Sequence, residues 1–126
     1  MTRTMLKSKI HRAHVSAVCL DYEGSISLDA RLMAAADILP YEQVQVVNIN
    51  NGARFTTYAV EATAASGQVC LNGAAARLAC PGDIVIILAY AAVEEAEAAQ
   101  FRPHLVYVDA KNRITRVSAL AEALAS

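Results

Sequence analysis

Tryptophan is absent and phenylalanine occurs twice, so few flat side chains are available to stack unpaired bases, and single-strand nucleic-acid binding loses its usual platform. Charge is also scarce. Asp, Glu, Lys and Arg make up 18 % of the chain and nearly cancel, to a net −1, which excludes the basic footprint of a nucleic-acid binder. The one local excess, Arg3, Lys7, Lys9 and Arg12 with no acid before residue 15, reads as a solvated strand edge. Long apolar runs are missing too. The longest, Ile84–Val93, is about half of the roughly 20 residues a membrane-spanning helix needs, and Met1–His14 lacks the apolar centre of a secretory signal. A cytoplasmic protein with no membrane partner is expected. Cys19, Cys70 and Cys80 are odd in number and far apart, with no C-x-x-C pair, which fits buried reduced thiols rather than disulfides or a zinc site.

What is present is apolar. With 56 % hydrophobic residues in 126, residues 1–126 can form one domain with a substantial core, and the lean surface charge suggests that other subunits cover part of the exterior. Between Lys9 and Leu20, Ala13, Val15, Ala17 and Cys19 alternate with Arg12, His14 and Ser16, the period of a half-buried strand. A polar break, Asp21–Ser25, follows. Asp29 can cap a short helix in which Leu32, Met33, Ala36 and Leu39 share a face and Pro40 is the stop. Glu42–Ile49 and Arg54–Val60 flank Asn50-Asn51-Gly52, a hairpin signature. Gln68–Leu71 predicts another strand, Ala74–Ala79 one or two helical turns, and Cys80–Asp83 a turn. Ile84–Tyr90 reads as a strand buried on both faces, Glu94–Gln100 as an exposed acidic segment, and Leu105–Asp109 as a further strand. Residues 112–126 are expected to be a frayed or weakly helical tail. Many short strands with brief helices predict a mainly β fold, a small β-barrel.

Several chemistries fail on spacing. His11 and His14 on a strand are expected to point to opposite faces, and no nearby Cys or acid completes a metal set. No nucleophile elbow, phosphate loop or dinucleotide fingerprint occurs. Gly24-Ser25 is ordinary in a turn. It also permits a different chemistry, because glycine tolerates strained backbone and lets the Ser25 hydroxyl reach the Gly24 carbonyl, shifting the acyl group from nitrogen to oxygen. Elimination of that ester and hydrolysis would leave a pyruvoyl ketone at residue 25. An amino-acid substrate would condense with such a ketone through its amine, and Arg54 is a candidate clamp for its carboxylate. Arg54, Thr56 and Tyr58 share one strand face, whereas Thr57 needs a bulge, a strand end or a shared site to join them. Lys9 is either a surface lysine or a third partner.

Taken together, Met5-Leu6-Lys7-Ser8-Lys9-Ile10-His11-Arg12, Tyr22-Glu23-Gly24-Ser25-Ile26, Asn51-Gly52-Ala53-Arg54-Phe55-Thr56-Thr57-Tyr58, Asn72-Gly73-Ala74-Ala75-Ala76 and Gly82-Asp83-Ile84-Val85-Ile86-Ile87 resemble the bacterial aspartate 1-decarboxylase family. The resemblance covers roughly residues 1–90. It implies a double-psi β-barrel, assembled as a homotetramer with sites between subunits. It also implies self-cleavage between Gly24 and Ser25 into a β chain, 1–24, and an α chain, 25–126, with a maturation factor as a further partner. The implied cofactor is the pyruvoyl group made from Ser25, with no metal and no pyridoxal phosphate. In this resemblance Ser25 supplies the Schiff-base ketone and Tyr58 the proton for the carbanion. Arg54 and Lys9 hold L-aspartate, while Thr57, Asn72, Gly73, Ala74 and Ala75 contact it and Tyr22 lies nearby. The implied reaction is carboxy-lyase chemistry giving β-alanine and CO2 for pantothenate and coenzyme A biosynthesis. Two alternatives stand beside it: a catalytically silent double-psi barrel used for binding or assembly, and a pyruvoyl decarboxylase of another amino acid.

Overall fold

The computed structural model describes residues 1–118. Nine strands dominate: β1 Thr2–His14, β2 Ala17–Cys19, β3 Ser25–Asp29, β4 Gln43–Asn48, β5 Arg54–Ala62, β6 Val69–Asn72, β7 Ile84–Glu94, β8 His104–Val108 and β9 Ile114–Ser118. Between them lie α1 Ala30–Ala35, a 3₁₀ helix Gly73–Leu78 and the single turn α2 Glu95–Ala98. The hydrogen-bonded order is β2-β6-β3-β5-β4-β7-β1-β8-β9. β1 and β2 thus stand near opposite ends of that order, yet only Val15 and Ser16 join them. At the join the Val15 N–H donates to the Asp83 carbonyl and the Ser16 N–H to the Val69 carbonyl, both at 2.8 Å. The Ser16 hydroxyl also accepts from the Val69 N–H at 2.9 Å. A chain that crosses from one end of a sheet to the other in two residues closes it, and the mainly β barrel follows.

Alternation fills the barrel. Ile10, Ile26, Leu28, Val44, Val46, Leu71, Val85 and Ile87 are all essentially inaccessible, each stabilising the fold by about 1.5–3 kcal/mol relative to exposure. Three parallel pairs, β1 with β8, β2 with β6 and β3 with β5, are mixed with antiparallel ones. The hairpin forms as its sequence predicts: β4 pairs antiparallel with β5, and Gly52 takes φ +76° in the turn, a region that costs glycine nothing.

Asp29 caps α1 as expected, its side chain accepting from the Arg31 N–H. The helix is shorter than its apolar pattern. Asp37 takes φ +54°, so Leu39 leaves the helical face and stands 67 % exposed. β7 is buried on one face only: Val85, Ile87 and Ala89 point inward, while Ile84, Ile86 and Leu88 are half-buried outside. Cys70 is buried as expected, but Cys19 and Cys80 are exposed, and all three are free thiols. The Asp21–Ser25 break is one residue shorter than read, since Ser25 already belongs to β3. Where the sequence predicts a frayed or helical tail, Ile114–Ser118 forms β9 against β8; the rest of that expectation lies outside the described residues. Among the described residues, no helix is long and apolar enough to cross a membrane.

His11 and His14 do not point to opposite faces. A register shift between Ile10 and Ala13, with Arg12 at φ +62°, inserts a bulge that resets the alternation. Both histidines consequently line one groove of about 550 Å³ with Tyr107, Asp109 and Arg116. Burial, with Lys9 and Arg12 nearby, holds the His11 imidazole below its ordinary pKa.

Candidate active site

The Gly24–Ser25 bond lies where an exposed loop enters the barrel. Gly24 is exposed, whereas Ser25, the first residue of β3, is only 1 % exposed. β3 pairs antiparallel with β6 so that Ser25 stands opposite Asn72, and the register brings the Asn72 amide to both serines of β3. Its Nδ2 donates to Ser25 Oγ at 2.9 Å and to Ser27 Oγ at 3.0 Å. Asn72 is itself 4 % exposed. A buried amide with both protons committed is a rigid support.

Gly73 explains the close approach of the loop. Its φ is +66°, and a Cβ there would stand 2.8 Å from Gly24 Cα, 2.9 Å from Gly24 N and 3.0 Å from the Tyr22 carbonyl oxygen. Only glycine fits. The 3₁₀ helix that begins at Gly73 supplies Ala74, Ala75 and Leu78 to a cavity of about 380 Å³, whose other walls are Gly24, Phe55, Thr56, Thr57, Tyr58 and Asn72.

Thr57 and Tyr58 border this cavity together although β5 is a regular strand. The reason is the edge. β3 pairs with β5 only from Ile26 opposite Ala59 onward, so residues 55–58 run past the start of β3 and expose one edge with side chains of both faces around it. Tyr58 is 36 % exposed, with its ring centroid 6.5 Å from that of Tyr41. Tyr22, on the approach loop, is 60 % exposed.

Lys9 and Arg54 do not line the cavity. On the outer face of the barrel Lys9 pairs with Leu88, Leu88 with Gln45 and Gln45 with Thr56, so Lys9 lies three strand spacings from β5, about 14 Å. Arg54 opposes Val47, which opposes Ile86. One chain therefore brings together Gly24, Ser25, Thr57, Tyr58, Asn72, Gly73, Ala74 and Ala75, and leaves both cations outside the cavity lining, although they share the outer face of Thr56. Among the described residues no three His, Cys, Asp or Glu side chains cluster to hold a metal ion.

Sequence reasoning missed Cys70 and Ser27 as contacts of Asn72. Cys70 Sγ lies 3.4 Å from Asn72 Oδ1, and burial first, then the nearby Cys19, pushes its thiol pKa up. Period-two spacing around Asn72 and Ser25 was the available signal, but only the β3–β6 register joins them.

The candidate site is thus a buried serine oxygen held by Asn72 beside a cavity that carries the side chains of Thr57 and Tyr58. The aspartate decarboxylase family model matches residues 1–115. The chain belongs to that family. It is 64 % identical over 114 residues to aspartate 1-decarboxylase 1 of Gloeobacter violaceus, covering 90 % of this chain and 97 % of that one. It is 60 % identical over 113 residues to the aspartate 1-decarboxylase of Dehalococcoides mccartyi strain CBDB1, covering 90 % and 91 %, and 60 % identical over 114 residues to that of Methylobacillus flagellatus, covering 90 % of each.

Proposed function

We propose that this chain cuts itself between Gly24 and Ser25 and then removes the α-carboxylate of L-aspartate, releasing CO2 and β-alanine. The observation that carries the reading is the buried Ser25 Oγ, held at 2.9 Å by Asn72, next to an exposed glycine and a cavity bearing Thr57 and Tyr58.

In the cleavage, Ser25 Oγ adds to the Gly24 carbonyl carbon, the C–N bond breaks, and the hydroxyl proton passes to the nitrogen of residue 25. The product is an ester. Loss of the Cα proton of residue 25 then breaks Cβ–Oγ, and Gly24 departs as a carboxylate carrying that oxygen. The unsaturated residue 25 tautomerises, and water releases its nitrogen as ammonia to leave a ketone. A donor at Oγ assists the second step, because negative charge develops on the leaving carboxylate.

Once formed, a ketone there supplies the electron sink for decarboxylation. The chain's residues do the rest. Asn72, Ala74 and Ala75 shape the wall, and Tyr58 holds the proton that the substrate carbon receives, since a carbanion is a far stronger base than a phenolate. Lys9 and Arg54, cations on the outer face, bind the substrate carboxylates. The separation of Lys9 from β5, and the absence of Arg54 from the cavity lining within one chain, support a site shared between copies, in a homotetramer. β-Alanine then enters pantothenate and coenzyme A biosynthesis in the cytoplasm.

The test is an assay of purified, matured protein with L-aspartate, following CO2 and β-alanine, beside Ser25→Ala. Product from the wild type and none from the variant is expected. Product from Ser25→Ala, or a matured chain that decarboxylates a different amino acid instead, contradicts the reading.

A further inference from the structure

We infer that Cys70 is a positioning residue for self-cleavage: its S–H fixes the orientation of the Asn72 amide, so that the NH2 group, and not the carbonyl oxygen, faces Ser25 Oγ. This rests on the cleavage reading above and goes beyond it.

The geometry is a chain of three groups. Cys70 Sγ is 3.4 Å from Asn72 Oδ1, and Asn72 Nδ2 is 2.9 Å from Ser25 Oγ and 3.0 Å from Ser27 Oγ. Cys70, Asn72 and Ser25 are 7 %, 4 % and 1 % exposed, so water does not substitute for a missing partner. An amide in such a place has two orientations. In one, NH2 donates to both serine oxygens and Oδ1 needs a donor behind it. In the other, Oδ1 takes the protons of both serine hydroxyls, and NH2 faces sulfur, a weak acceptor.

Two serines alone do not decide between these, because a hydroxyl both donates and accepts. The group behind the amide decides. A protonated thiol offers Oδ1 a hydrogen and selects the first orientation, whereas a thiolate selects the second. Burial and the neighbouring Cys19 keep Cys70 protonated by raising its pKa.

The orientation matters to the chemistry. With NH2 toward it, Ser25 Oγ accepts a hydrogen bond and keeps its own proton free to leave as Oγ adds to Gly24. The same NH2 then stabilises the ester oxygen as a leaving group. With Oδ1 toward it, the serine proton is committed to Asn72 and the leaving oxygen meets a lone pair. Cys70 acts through Asn72 in this account and touches no reacting atom.

The test compares full-length wild type with Cys70→Ser, Cys70→Val and Cys70→Ala, each followed by intact mass for the appearance of the 1–24 fragment. Serine keeps a donor, whereas valine keeps the apolar packing without one. The wild type and Cys70→Ser are expected to cleave at similar rates, and Cys70→Val and Cys70→Ala about tenfold slower, the worth of roughly one hydrogen bond. The opposite order, valine fast and serine slow, would mean that Cys70 only packs, and overturns the inference.

Neutron crystal structures of the uncleaved Cys70→Val and Cys70→Ser chains, which tell the amide NH2 from its oxygen, give a readout that does not depend on cleavage. The contact from Asn72 Nδ2 to Ser25 Oγ is expected to be lost in the first and kept in the second. If the Asn72 NH2 still faces Ser25 with valine at 70, the inference is wrong whatever the rates. If the wild type itself never cleaves, the cleavage reading fails, and the crystal comparison still decides whether Cys70 orients Asn72.

Discussion

Tyr58 stands at the rim of the cavity, 36 % exposed, and its hydroxyl is absent from the contacts that hold Ser25. Loss of that hydroxyl should therefore separate the two reactions. Tyr58→Phe is predicted to cleave at the wild-type rate and to lose about 10²–10⁴ in kcat for β-alanine formation, the usual worth of a positioned acid, as measured by fragment mass and product assay on the same sample. Asp29 makes a second residue-scale prediction. Its burial works to raise the carboxyl pKa, but hydrogen bonds from the Gly67, Arg31 and Ala65 N–H groups outweigh it, with help from the Arg31 charge, and hold the pKa below 3.8. A carboxyl lower in the folded than in the unfolded chain adds stability that is complete above the unfolded value and is lost as pH falls through the folded one. Asp29→Asn should therefore flatten the fall of the unfolding midpoint below about pH 4, checked by denaturant titrations across that range. The capping role of Asp29 was legible, because its partner is two residues away. Its bonds to Ala65 and Gly67 were not, since they reach 36 and 38 residues along the chain.

At the scale of elements, the 3₁₀ helix and the approach loop fit together only because residue 73 has no side chain. Gly73→Ala places a Cβ 2.8 Å from the Gly24 backbone at a positive φ, so the loop has to retreat from Asn72. Cleavage is predicted to stop or slow severely while circular dichroism still reports a β fold; normal cleavage by this variant would show that the close approach is dispensable. β9 depends on another buried amide. Asn112 Nδ2 donates to the carbonyls of His14 and Gly67 at 2.8 Å, and Oδ1 accepts from the His14 N–H at 2.7 Å. Asn112→Ala strands those groups and should cost about 1–3 kcal/mol in denaturant unfolding. Strands with turn residues between them, such as β4 and β5, were readable because period and turn agree locally. β9 was not. Its edge position against β8 leaves four of its five residues exposed, so no alternation marks it, and the Ala-rich residues beyond it point toward helix.

For the whole molecule, the outer face formed by β1, β7, β4 and β5 carries half-buried Val47, Ile86 and Leu88 among Lys9 and Arg54. Apolar side chains left half-covered beside two cations suit the proposed contact with a second copy. Mixing Arg54→Ala with Tyr58→Phe chains under conditions that exchange subunits is predicted to restore activity that neither variant has alone, because some sites then receive an intact residue from each. No recovery after confirmed exchange would place both residues in the same chain's site. Barrel closure was legible only coarsely, from many short strands with brief helices, since the contacts that close it join residues remote in sequence. The claim on which all of this depends is that Ser25 becomes a ketone. It is tested most directly by intact mass and terminal analysis of purified protein incubated alone and with cell extract. The account predicts two fragments divided between Gly24 and Ser25, the larger lacking an N-terminal amine and reacting with a carbonyl reagent. A chain that stays whole under both conditions, or a larger fragment that begins with an ordinary serine, would contradict it.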